Sequence, residues 1–222
     1  MKVALKAYTQ PVDSNLEASE FIAYCARVSN PSNQMNTESS PKLLQYCLNH
    51  KHFSIFEMVN CVFEIETTRD IARQILRHRS FSFQEFSQRY ADPTNLGWET
   101  REARLQDKKN RQNSIELNME DVKELDLAFD WDIAQENVMR CALKQYKWAI
   151  ENGIAKEQAR ALLPEGLTTS RMYMNGTLRS WIHYCQVRMD PSTQKEHREI
   201  ATAIWNVLLN KFSFLNLLEA NK

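Results

Sequence analysis

Apolar and polar side chains alternate over residues 2–9, with Val3, Leu5 and Ala7 set against Lys2 and Lys6, the period of a half-buried strand. A second alternation over residues 58–68 opposes Val59, Cys61, Phe63 and Ile65 to Asn60, Glu64 and Glu66, predicting another strand with one wet face. Between the two lie helix starts. Ser14 and Glu17 have the S-x-x-E spacing of a capping box, in which each side chain satisfies the other's free backbone donor, so a helix is expected over residues 16–28. Ser40 is placed to cap a helix whose first turn holds Pro41, a residue with no N–H to leave unpaired. That helix presents Leu43, Leu44, Cys47 and Leu48 on one face and ends near His50. A third helix, residues 69–78, follows the second strand directly.

Residues 101–113 are polar and carry both charge signs, the pattern of an exposed loop or a solvated helix end. A long helix is expected over residues 120–152, with Trp131, Ala134, Val138, Cys141, Trp148 and Ala149 near helical spacing and Gly153 as its stop; we read it as scaffold. Residues 156–163 end at the breaker Pro164, an extended stretch spans 167–174, and a helix covers 177–188. Asp190-Pro191 opens the last helix, whose apolar stripe is Ile200, Ala203, Ile204, Val207 and Leu208. No internal repeat or linker interrupts this order.

The 222 residues, 43% hydrophobic and 25% charged, suit one folded, water-soluble domain over residues 1–222. Lys plus Arg and Asp plus Glu both number 28, so no global field draws the chain to nucleic acid or to an acidic membrane, and any anion site must be local. The start is too short and too charged for a signal peptide, and no apolar run approaches a bilayer's thickness, so a cytoplasmic protein is expected. The five cysteines are widely spaced and expected to be free thiols. Cys47, His50 and His52 lack a fourth ligand nearby, so no metal site is expected.

Two stretches carry candidate chemistry. Arg69, Arg73 and Arg77 recur every four residues on one helix face, where like charges repel, and something anionic should offset them; Asp70 offers only part of that. The run from Arg77 to Tyr90 packs three arginines, a histidine and three serines among aromatic rings. Guanidinium forks match phosphate oxygens, and aromatic faces can stack on a planar ring, so a nucleotide fits this composition. In the second stretch Arg179, His183 and Gln186 share a polar helix face, opposite Leu178, Trp181, Ile182 and Cys185, with Arg188 at the helix end.

Arg77-His78-Arg79, seven further residues and Ser87, continued by Arg89-Tyr90, resemble the signature of the flavin-dependent thymidylate synthases. His52-Phe53-Ser54-Ile55-Phe56-Glu57 is similar to that family's H-x-[ST]-x-F-E segment, and Arg160–Pro164 and Thr177–Arg188 also resemble family segments. The resemblance implies an α/β fold of the α+β type, a central, mostly antiparallel sheet flanked by long helices. It implies that Gln74, Arg77, Glu85, Phe86, Ser87, Gln88, Arg89, Arg160 and Arg188 hold dUMP, with Arg188 as the catalytic residue that activates the pyrimidine. FAD contacts would come from Ser54, Glu57, Arg77, His78, Arg79, Gln84, Thr177, Leu178, Arg179 and His183. The resemblance further implies 5,10-methylenetetrahydrofolate as carbon donor, NADPH as reductant, and a homotetramer with shared sites.

Two absences agree with this. The four glycines are too scattered for a dinucleotide fingerprint or a P-loop, and no cysteine follows a proline as in the unrelated cysteine-dependent synthases. Ser87 has no strand-to-helix elbow and no evident base, so it reads as a phosphate ligand. Departures are Gln84 and Thr177 where asparagine is frequent, Met58 where histidine is frequent, and one residue inserted between Pro164 and Arg179. A related enzyme acting on dCMP, or transferring a hydroxymethyl group, stays open, as does a nucleic-acid-binding module, although the neutral net charge argues against the latter.

Overall fold

The computed structural model describes residues 1–218. Strand β1 (Lys2–Tyr8) leads through α1 (Ala18–Ala26) and α2 (Ser40–Asn49) to β2 (Asn60–Thr68), which runs straight into α3 (Arg69–Ile75). There follow a short strand β3 (Ser82–Glu85), a hairpin of β4 (Arg104–Gln106) and β5 (Ser114–Glu116), the long α4 (Val122–Glu151) and the one-turn α5 (Lys156–Ala159). Strand β6 (Thr169–Thr177), α6 (Leu178–Arg188) and α7 (Lys195–Lys211) complete the order. The main sheet runs β1-β2-β6-β3, and every neighbouring pair in it is antiparallel. Among the described residues no helix is long and apolar enough to cross a membrane.

Alternation gives the sheet two unlike faces. Cys61, Phe63 and Ile65 of β2, with Met172 and Met174 of β6, are buried under the helices, where Ile22, Leu44, Ile71, Trp181, Ile204 and Leu208 join the same core. The other face is a polar ladder: Glu66 accepts from Arg171 at 2.7 Å and Glu64 from Tyr173 at 2.7 Å, while Lys6 reaches Glu64 at 2.9 Å. Cross-strand pairs of this kind on a wet face add modestly to the pairing of the strands.

Several expected boundaries move. Helix α1 begins at Ala18 because Glu17, not Ser14, is its N-cap, and Glu20 reaches back to the Glu17 N–H at 2.8 Å. Ser39 precedes α2, while Ser40 is its first residue, buried, and meets Arg27 at 3.4 Å. Helix α3 ends at Ile75, earlier than expected, so Arg77–Arg79 lie beyond it. The last helix starts at Lys195 rather than beside Pro191, because the Asp190 carboxylate takes the Ser192 N–H into a turn at 2.9 Å. Residues 101–113, expected as loop or helix end, contain most of the β4–β5 hairpin.

Of the stripe read on the long helix, only Ala149 is buried, in a small cluster with Tyr146, Ala159 and Leu163. Trp131, Val138 and Trp148 are 43%, 51% and 53% exposed, and only Gln135, Met139, Tyr146 and Ala149 of α4 are buried. Periodicity marks an apolar face without saying what covers it.

Gly176 sits in β6 against the Phe81 ring, which packs edge-on to Trp181 at 4.6 Å between centroids. A Cβ at Gly176 would overlap that ring, whereas one at Gly166 meets nothing within 4 Å. Gly176→Ala is expected to lower the unfolding free energy by about 1–3 kcal/mol, and Gly166→Ala to change it by less than about 0.5 kcal/mol. Urea unfolding of both variants checks this, and equal stabilities would show that the Phe81 contact is slack.

Candidate functional site

Strands β2 and β6 pair from Asn60↔Thr177 to Thr68↔Thr169, so α3 and α6 leave the sheet from opposite ends and run over the same buried face. Their C-terminal ends meet. Arg188, the last residue of α6, donates from Nε to His78 Nε2 at 2.8 Å, just past the end of α3. The His78 ring lies edge-on to Tyr184, 4.9 Å between centroids. Burial, with Arg188 and His183 adding repulsion, lowers the His78 pKa to about 4. A neutral His78 with a bare Nε2 carries its proton on Nδ1. It therefore orients Arg188 without cancelling its charge and leaves the terminal guanidinium nitrogens available.

Behind this pair stands His197, wholly buried in α7. It meets the Tyr184 hydroxyl through Nε2 at 3.0 Å and Gln74 Oε1 through Nδ1 at 3.3 Å. Burial lowers its pKa to about 3, helped by Arg188 and His78. Sequence reading missed His197 and its neighbour Gln194, yet a signal existed: His197, Ile200, Ile204 and Leu208 fall on one helical stripe, and a histidine there must be internal.

A cleft of about 420 Å³ opens beside α6, lined by Phe53, Glu57, Ser80, Arg179, His183 and Gln186 among others. Glu57 and Arg179 form an ion pair at 2.7 Å. A hydrogen bond from Thr177 and the Arg179 contact hold the Glu57 carboxyl below its usual range. Thr177 is the N-cap of α6 and accepts from the Ser180 N–H at 3.2 Å. The polar face of α6 thus lies on a cleft. Leu178 points into the core, and its N–H donates to the Val59 carbonyl at 2.7 Å. Ser54 is exposed on the short turn anchored by buried Phe56. Arg77 and Arg79 are exposed beyond α3, and Gln84 is exposed on β3, paired with Tyr173.

The arginine repulsion is met from inside the chain. Arg69, 7% exposed, lies 3.5 Å from both Glu85 and Glu165, and Arg73 lies 3.5 Å from Glu85. Glu85 also accepts from the Ser170 hydroxyl at 2.8 Å, and the Phe86 N–H donates to the Arg171 carbonyl at 2.8 Å. Gln88 is buried and Ser87 half-buried. Arg89 donates to the Glu157 carboxylate at 3.1 Å and Arg160 to the Glu157 carbonyl at 3.2 Å. Of the expected residues, Glu57, Arg179 and His183 line the cleft by α6, Arg188 and His78 meet with Gln74 behind them, and Arg89 and Arg160 share Glu157 of α5.

A family model described as thymidylate synthase complementing protein matches residues 12–212. The chain is 45% identical over 213 residues to the probable flavin-dependent thymidylate synthase of Paramecium bursaria Chlorella virus 1, covering 96% of this chain and 95% of that one. It is 53% identical over 192 residues to the flavin-dependent thymidylate synthase of Synechocystis sp., with 86% and 85% covered. A solved structure of the UMP/dUMP methylase PolB from Streptomyces cacaoi, bound with 5-Br dUMP, shares the fold with a TM-score of 0.79 at 21% identity, covering 99% of this chain and 94% of that one.

Half-buried His78 and buried His197 give a pH dependence with a definite sign. Unfolded, each takes a proton near the ordinary value of 6.5; folded, they resist until about 4 and about 3. The unfolded state binds more protons in that window, so their effect is nil above 6.5 and destabilises the fold as pH drops below it. Stability should fall between about pH 6.5 and pH 4, less steeply in His197→Gln, as urea midpoints at several pH values would record. An equal slope in the variant would contradict the assignment.

Proposed function

The chain belongs to the flavin-dependent thymidylate synthase family, and we propose that it methylates dUMP to dTMP as a cytoplasmic homotetramer. The carbon would come from 5,10-methylenetetrahydrofolate. The observation that carries the reading is Arg188, half-buried and held through Nε by a neutral histidine. A fixed guanidinium beside the N3 and O4 edge of uracil favours the ionised ring and makes C5 nucleophilic. Because His78 accepts without contributing negative charge, Arg188 keeps its full positive charge for the pyrimidine.

Gln74, Arg77, Glu85, Phe86, Ser87, Gln88, Arg89 and Arg160 would position dUMP, the arginines and Ser87 meeting its phosphate with charge-assisted bonds. No cysteine nucleophile is needed. Burial pushes the Cys61 thiol up to about 12 and raises Cys185 as well, and no cysteine lines the cleft by α6, so these thiols are inert.

The donor set of that cleft fits FAD. Phe53 and Ile182 give an apolar wall, while Arg179, Ser80, Ser180, His183 and Gln186 offer a cation and polar donors. Ser54, Glu57, Arg77, His78, Arg79, Gln84 and the start of α6 at Thr177 and Leu178 would complete the hold. Bound FAD, reduced by NADPH, would supply the hydride that turns the transferred carbon into a methyl group. These contacts lie on separate segments, and the uncovered apolar side chains of α4 offer a face for further copies of the chain, in keeping with sites shared between subunits.

Incubating the protein with FAD, NADPH, methylenetetrahydrofolate and either dUMP or dCMP should yield dTMP from dUMP. A clear preference for dCMP would contradict the substrate assignment. Arg188→Ala should keep bound flavin yet lose about 100-fold or more in turnover, and near-normal turnover would remove Arg188 from the role.

A further inference from the structure

A run of side chains joins the surface hairpin to the core beside Arg188. Arg104 of β4 is ion-paired with Glu196 in the first turn of α7. Gln194 Nε2 donates to Glu196 Oε2 at 2.9 Å, and Gln74 Nε2 donates to Gln194 Oε1 at 2.8 Å. From Gln74 Oε1 the run passes to His197 Nδ1 and from His197 Nε2 to the Tyr184 hydroxyl. The inner end is sealed, since His197 and Tyr184 are 0% exposed.

Its direction follows from its outer end. An ionised carboxylate accepts and cannot donate, so Gln194 turns its NH2 toward Glu196 and its carbonyl toward Gln74. Gln74 then gives its NH2 to Gln194 and its carbonyl to His197, which must carry its proton on Nδ1. Nε2 is left bare and takes the Tyr184 hydroxyl proton. Reversing either amide would set acceptor against acceptor or donor against donor in a site where unmet polar groups are costly.

We infer that Glu196, Gln194 and His197 are positioning residues that lock the Gln74 amide in one orientation and thereby select uracil over cytosine. This rests on the reading that Gln74 contacts the pyrimidine nucleotide. Uracil, neutral or ionised, offers the acceptor O4 where cytosine offers a donor amino group. An amide free to rotate can match either pattern; a locked one matches one of them. The Glu196 charge, held by Arg104, thus reaches the nucleotide site through side chains that need not touch it.

The test uses the FAD-loaded protein and two variants. Gln194→Leu cuts the run while leaving the Arg104–Glu196 pair in place, and Glu196→Gln, nearly the same shape, removes the fixed acceptor and guards against misfolding of the first. Nitrogen and carbon NMR of histidine-labelled protein reads the His197 tautomer, assigned by its loss in His197→Gln. Calorimetry reads the binding ratio of dUMP to dCMP. Wild type should hold His197 as the Nδ1–H form and prefer dUMP. Both variants should show mixed tautomers and a ratio lowered roughly tenfold, the weight of one hydrogen bond. A tautomer or a ratio that stays at the wild-type value in the folded variants overturns the inference. Should wild type bind neither nucleotide, the substrate reading fails, and the tautomers alone decide whether the run sets the Gln74 orientation.

Discussion

The antiparallel register of β2 on β6 is the constraint on which the Arg188 region depends. With Asn60 opposite Thr177 and Thr68 opposite Thr169, the helices that follow the two strands start at opposite ends of one ladder and converge over its buried face. A slip of one residue would turn Phe63 and Ile65 outward and Glu64 and Glu66 inward, so the core itself forbids it. The absent Cβ of Gly176 lets Phe81 lie against β6, which draws the segment carrying His78 onto the sheet. Helix α7 then closes the arrangement, touching α6 through His197 and Tyr184 and α3 through His197 and Gln74.

Electrostatics in this region follows from burial. Carboxylates of the chain answer the arginines that serve structure: Glu85 and Glu165 flank Arg69 and Arg73. Arg188 instead has a neutral histidine for its partner, because solvent exclusion costs the imidazolium more than a hydrogen bond returns. A chain of zero formal net charge thus keeps one guanidinium without a carboxylate partner among the described residues where α3 and α6 meet.

How much of this was legible in the sequence depended on whether the signal was local. The alternations of β1 and β2, and the split of α6 into a buried face of Leu178, Trp181, Ile182 and Cys185 and a wet face of Arg179, His183 and Gln186, are local and read directly. The β4–β5 hairpin was invisible because only Leu105 and Ile115 interrupt a polar stretch and both are exposed. The start of α1 was misplaced because Glu17 took the N-cap position for which Ser14, three residues earlier, has the right spacing. Pairings across the chain, such as His197 with Gln74 or Arg73 with Glu85, leave no spacing to read. Helix α4 is a different case: its apolar period was visible, but a period does not name the surface that covers it.

The account stands most directly on the visible spectrum of the protein purified without added cofactor, recorded before and after NADPH and dUMP are supplied. Flavin bands that bleach on reduction are the predicted result. A colourless protein that also fails to take up added FAD would contradict the account and return the basic, aromatic run from Arg77 to Tyr90 to a binding role without flavin chemistry.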